Sequence, residues 1–146
     1  MSTVSTPLPL LNIEQEIEIN AAPGDVYRGL IAQLKSLDAN EPGKTLDFEL
    51  EEWPGGRWFR DLGNGSGHLW GFVQSIKPPH LLELYGPMMM SFATANNLII
   101  RIETIANGSK VTLRHQCLGD VPDQYRDGMP DGWCKVLEGT KKRAEA

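Results

Sequence analysis

Hydrophobic and polar positions alternate from Ile13 to Ile19, with Ile13, Ile17 and Ile19 on one side and Glu14, Glu16 and Glu18 on the other. That is the period of a half-buried strand, and Gln15 is the polar exception on its apolar row. At Pro23 the period changes. Val26, Tyr27, Leu30, Ile31 and Leu34 recur at helical spacing, and Pro23 suits a first turn, which predicts an amphipathic helix ending before Pro42-Gly43. The strand period then returns between strong turn signals. Strands are predicted over residues 46–52, 57–62, 68–76, 81–85, 97–105 and 110–118, separated by Pro54-Gly55-Gly56, the loop 63–67, Pro78-Pro79, Gly86-Pro87 and Asn107-Gly108. Connections this short cannot carry crossover helices, so these strands form an antiparallel meander.

After a loop at residues 120–123, Met129, Trp133, Val136, Leu137 and Thr140 share one helical face. Pro130 and Asp131 suit the first turn of that helix, and Lys141, Lys142 and Arg143 complement the dipole at its end. The order strand, helix, six strands, helix predicts an α+β fold. Its single seven-stranded curved antiparallel sheet is covered by the long C-terminal helix, an arrangement that can leave a cleft between the two. Residues 1–10, with Pro7 and Pro9 among Ser and Thr, read as a flexible N-terminal arm, and residues 11–146 as one domain.

Composition narrows the partners. The 146 residues hold 14 Lys plus Arg against 19 Asp plus Glu, a formal charge of -5, and the basic residues are scattered rather than clustered. Nucleic acid, which binds through clustered Lys and Arg, is therefore not an expected partner. With no apolar run of membrane-spanning length and no basic, apolar leader, membrane insertion is not expected and a cytoplasmic location is. Cys117 and Cys134 lack CxxC spacing and read as reduced cysteines, while His68, His80 and His115 are too dispersed to preset a metal site. No metal or cofactor is expected. Nucleotide-binding loops and the Gly-x-Ser-x-Gly elbow are absent from the sequence.

The strand Ile13 to Ile19 followed by Ala22-Pro23-Gly24-Asp25-Val26-Tyr27, the Trp53-Pro54-Gly55-Gly56 turn, Gly71-Phe72-Val73 running into Lys77-Pro78-Pro79, and the late Gly132-Trp133 together resemble the START-like or SRPBCC helix-grip superfamily. Within it, the chain resembles the family related to the C-terminal domain of activators of the heat-shock-protein-90 ATPase. The likeness runs from about Leu11 to Glu145. It implies a START/Bet v 1-like helix-grip fold, in which the sheet grips the last helix around an apolar cavity. Members of the superfamily bind lipids, sterols, polyketides or plant hormones, and some are cyclases or hydrolases. An additional N-terminal domain like that of eukaryotic chaperone activators is not expected in so short an arm.

The candidate chemistry centres on one strand. Extending the row Val111, Leu113 brings His115 and Cys117 to the inner face, where His115 offers a polar anchor for a ligand or, alternatively, an ordinary buried histidine. A Cys-His nucleophile is not supported, because the two sit about 7 Å apart along one strand face and nothing nearby lowers the thiol pKa. No catalytic residue is assigned. The expected ligand-binding lining comprises Leu84, Leu98, Ile100, His115 and Trp133, together with Met90 and Phe92 from the Met-rich segment 88–92. Trp70 is a further candidate, although periodicity places it on the same side as Phe72 and does not say which side faces inward. Trp53 and Trp58 read as structural residues with a polar edge near solvent. The leading expectation is a small-molecule-binding protein with an apolar ligand of lipid, sterol or polyketide type. The alternatives are a cyclase or hydrolase using His115 with Tyr85 or Tyr125, and a protein partner, such as a chaperone, docking at residues 88–92.

Overall fold

The structure, a computed structural model, describes residues 10–39, 42–88 and 92–146. The expected arm therefore lies outside the described residues except for Leu10. Strand β1 (Leu10–Ile19) leads into helix α1 (Pro23–Leu34), followed by the short strands β2 (Ser36–Asp38), β3 (Thr45–Asp47) and β4 (Glu49–Leu50). The long strands β5 (Arg57–Gly63), β6 (Ser66–Lys77), β7 (Leu81–Gly86), β8 (Thr94–Ile105) and β9 (Gly108–Gly119) precede helix α2 (Asp123–Ala144). Strands β4 to β9 form a consecutive antiparallel meander, and β1 joins its end beside β9 to complete a seven-stranded sheet. A separate ribbon pairs β2 with β3.

The two periodicities build this arrangement directly. The inner rows of the sheet supply Ile13, Leu84, Leu98, Ile100, Val111 and Leu113, all buried, and α2 lays Met129, Trp133, Val136, Leu137 and Thr140 against them. Gln15, the polar exception on β1, points inward and donates from Nε2 to the Pro130 carbonyl of α2 at 2.8 Å. Helix α1 packs closely on α2 through Gly29, where a Cβ would stand 3.1 Å from the Thr140 carbonyl oxygen. No helix among the described residues is long and apolar enough to cross a membrane.

Three local expectations are corrected. The predicted strand 46–52 is two strands in two sheets, because the N–H of Phe48 turns to the Lys35 carbonyl at the end of α1 and the Phe48 ring packs on Trp58 and Trp70. Alternation marks extended backbone without naming its partner. The first helix ends at Leu34, before Pro42-Gly43 as expected, and the chain that follows is extended as β2. The last helix begins two turns early, at Asp123, so Pro130 lies inside it rather than in its first turn. Proline costs that helix one backbone hydrogen bond. Finally, Trp58 is fully buried and donates from Nε1 to the Leu34 carbonyl at 2.9 Å, whereas Trp53 is 57% exposed as expected.

A bulge settles the orientation of Trp70. Trp58 pairs with Gly71 but Phe59 pairs with Leu69, so one extra residue of β6 opposes β5 at this point. Trp70 thereby turns inward onto Phe48 and Trp58, while Phe72 packs on the exposed Tyr85 on the outer face. The bulge needs Gly71, since a Cβ there would sit 2.7 Å from the Tyr85 carbonyl oxygen.

Candidate functional site

His115 lies on the inner face of β9 with no exposed surface. The Trp133 indole Nε1–H donates to its Nδ1 at 2.9 Å, which leaves the ring proton on Nε2, and Nε2–H donates to Asn96 Oδ1 at 2.7 Å. Asn96 Nδ2 in turn donates to the carbonyls of Pro87 at 2.9 Å and Gly86 at 3.2 Å. A buried polar chain thus runs from α2 through β9 and β8 to the end of β7, and both imidazole nitrogens are used within it. Burial pushes the His115 pKa down to about 4, so the ring is neutral near pH 7. The same effect pushes the Cys117 thiol up, opposed by a Thr94 hydrogen bond and the Arg126 charge, which keeps it protonated and a poor nucleophile.

Leu84, Leu98 and Ile100 surround this chain as packed core, each at most 1% exposed. Open space lies to one side of them. A cleft of about 660 Å³ is bounded by the first half of α2, by Gln33 and residues 37–39 where α1 runs into β2, by Trp70 of β6 and by Met88 after β7. Its apolar surface comes from Leu37, Trp70, Met88, Met129, Trp133 and Val136, and its polar surface from Asp38, Gln124, Tyr125, Asp131 and Lys135. The volume is that of a small-molecule site. A second depression, about 450 Å³, lies on the outer face of the sheet among Glu14, Glu16, Arg101, Thr112 and Arg114. It is a gap between charged side chains, with Ile99 as the apolar outer-face residue among them.

Of the expected lining, the structure brings Trp70 and Trp133 together in the cleft. Phe92 stands next to it, half-buried, with its ring 5.1 Å from that of Tyr125. Leu84, Leu98, Ile100 and His115 lie under α2 and do not line the opening. Met90, with Met89 and Ser91, lies outside the described residues, and Met88 at the start of the same segment is 2% exposed. His115, Tyr85 and Tyr125 do not converge: the histidine is internal, Tyr85 is on the outer face against Phe72, and Tyr125 is at the cleft. Among the described residues, no group of three or more His, Cys, Asp or Glu is placed to hold a metal ion.

Two glycines were missed by reasoning from sequence. Gly128 and Gly132, four residues apart on α2, both line the cleft, and a Cβ at either would meet nothing within 4 Å. Glycine inside a helix costs stability, roughly 0.5–1 kcal/mol relative to alanine, so two of them on the wall of an opening are the signal that was available.

No family model matches the chain, and no curated protein matches it. Solved structures do. A protein of unknown function from Staphylococcus aureus superposes with a TM-score of 0.70 at 14% identity, over 94% of this chain and 95% of that one. The Aha1 dimer from Colwellia psychrerythraea gives 0.68 at 21% identity, over 92% and 96% of the two chains. The di-domain ARO/CYC StfQ from the steffimycin biosynthetic pathway gives 0.65 at 14% identity, over 93% of this chain but 51% of that one, about one of its two domains. Identities this low speak to architecture, and together with the seven-stranded antiparallel sheet closed by α2 they establish that the chain has the helix-grip fold.

Proposed function

We propose that the protein binds a small apolar molecule in the cleft between α2, the α1–β2 corner and the β6 bulge. The observation that carries this reading is an apolar floor of Trp70, Met88, Met129 and Trp133 which Gly128 and Gly132 leave unfilled. Methionine and aromatic side chains adapt to irregular apolar shapes, and the polar groups at Asp38, Asp131 and Lys135 suit a ligand with one hydrophilic end. His115 serves this site indirectly. By accepting the Trp133 indole proton it holds that ring in the cleft wall, and with both nitrogens engaged it has no free atom for substrate. A binding role is therefore favoured over acid/base catalysis by His115. Similarity of fold to ARO/CYC proteins of biosynthetic pathways agrees with a small-molecule ligand.

Thermal unfolding in the presence of fatty acids, sterols, flavonoids and aromatic polyketides tests the reading. A ligand at 100 times its Kd adds about 2.7 kcal/mol, enough to raise the midpoint by several degrees in a chain of this length. Gly132→Phe starts from a position where a Cβ meets nothing within 4 Å, and its ring should obstruct the cleft and abolish the shift while leaving the unliganded protein folded. A shift that survives Gly132→Phe would move the ligand elsewhere, and no shift with any member of the panel would remove the binding reading.

A further inference from the structure

The tryptophans differ in how their indole N–H groups are satisfied. Trp58 donates to Leu34 and Trp133 to His115, and the Trp53 side chain is largely in solvent. The Nε1 of Trp70 is shut off from solvent and has no acceptor among the described residues. A buried donor without a partner costs about 1–3 kcal/mol, and such a group needs a physical account. On its core side Trp70 meets the rings of Phe48 and Trp58, with centroids at 4.8 and 5.4 Å. On its other side it forms part of the cleft wall beside Met88, whose backbone N–H donates to the Trp70 carbonyl at 2.8 Å.

We infer that the Trp70 indole N–H is the hydrogen-bond anchor of the cleft, and that the ligand is an apolar molecule carrying an oxygen acceptor, a carbonyl or ether, which reaches Nε1 when the side chains that close this wall of the cleft, Met88 among its lining residues, move aside. The bulge in β6 is what aims the indole this way: without the extra residue, Trp70 would sit on the outer face with its N–H in water. Met88 is suited to yielding, being unbranched and adaptable. A ligand with the acceptor gains this bond, and one without it leaves the donor as unpaired as before, so the anchor favours the first by the worth of one hydrogen bond. The anchor rests on the cleft being a ligand site, so the experiment has to separate the two.

The probes are 1-tetralone and tetralin, which share a bicyclic skeleton and differ by one carbonyl oxygen. In the wild-type protein, titration with tetralone should move the Trp70 indole N–H resonance downfield in a nitrogen–proton correlation spectrum, and tetralin should not. The ratio of tetralone to tetralin affinity should fall about five-fold in Trp70→Phe, the change expected from one net hydrogen bond. The spectrum of the unmutated protein keeps the question decidable if Trp70→Phe does not fold. Binding of both probes with an unmoved indole resonance overturns the anchor and leaves the cleft reading intact, the N–H then being satisfied by the face of the Phe48 ring. Binding of neither probe overturns both.

Discussion

A proton placed on Nδ1 of His115 would meet the Trp133 N–H that now donates to that atom, so the buried chain from Trp133 to Pro87 exists only while the imidazole is neutral. The unfolded chain protonates His115 near pH 6.5, whereas the folded protein resists until about pH 4. Between these values the unfolded state binds more protons, and stability falls as the pH is lowered through that window, by about 3 kcal/mol in all. Urea unfolding at pH 7, 5.5 and 4.5 checks this against His115→Leu, since the contributions of other groups cancel in the difference. The wild type should lose its advantage over the variant as the pH falls, and parallel curves would contradict it. A companion test is the Trp133→Phe, His115→Leu double-mutant cycle, which should give a coupling of about 1–2 kcal/mol for an interaction made through contact. The inward direction of His115 and the buried face carrying Trp133 were both legible from periodicity. Their connection was not: Asn96 reads as a polar residue at a strand boundary, and only the pairing of β8 with β9 brings it to the imidazole.

Helix α2 and strand β6 carry the features that shape the cleft, and each breaks a local rule. Alanine at Gly128 or Gly132 should raise stability by about 0.5–1 kcal/mol, as it does in open helix interiors, because its methyl group meets no neighbour. Denaturant midpoints would show it, and a loss of stability would mean that the wall is already closed. Alanine at Gly71 should act in the opposite direction, since its Cβ would collide with the Tyr85 carbonyl oxygen at 2.7 Å, and a cost of about 1–3 kcal/mol is expected from an overpacked site. Near-ultraviolet circular dichroism should change with it, because the bulge positions Trp70 against Phe48 and Trp58. These elements also mark where sequence reading stopped. Alternation from Ser66 to Lys77 is interrupted, and without the register to β5 the extra residue cannot be located, so Trp70 and Phe72 looked equivalent when they face opposite sides. Pro130 misled in the same way: it suited a first helical turn, and nothing local disclosed that Gln15, far away in sequence, would bind its carbonyl and that the helix would begin at Asp123.

Across the molecule, stability is unevenly distributed in a way that bears on ligand entry. Strands β8 and β9 pair along their whole length and β9 also pairs along β1, so their amides lie in continuous ladders over a fully buried row. The first half of α2 is held less firmly. Its N-cap, Pro122, makes no side-chain capping bond, residues 122–125 and 127–128 are exposed, and Pro130 removes the hydrogen bond that the Arg126 carbonyl would accept. Local opening favours segments with few buried contacts and missing backbone bonds, and this segment is one wall of the cleft. Hydrogen exchange should therefore be fastest within α2 between Gln124 and Gly132, and slowest in β8 and β9. A bound ligand would hold α2 against Trp70 and the α1–β2 corner, slowing exchange at residues 124–132 while leaving the β8–β9 ladder, whose opening already requires global unfolding, nearly unchanged. Protection spread evenly over all elements would instead report a general gain in stability, and protection confined to the outer face around Arg101 and Arg114 would place the ligand on the opposite side of the sheet.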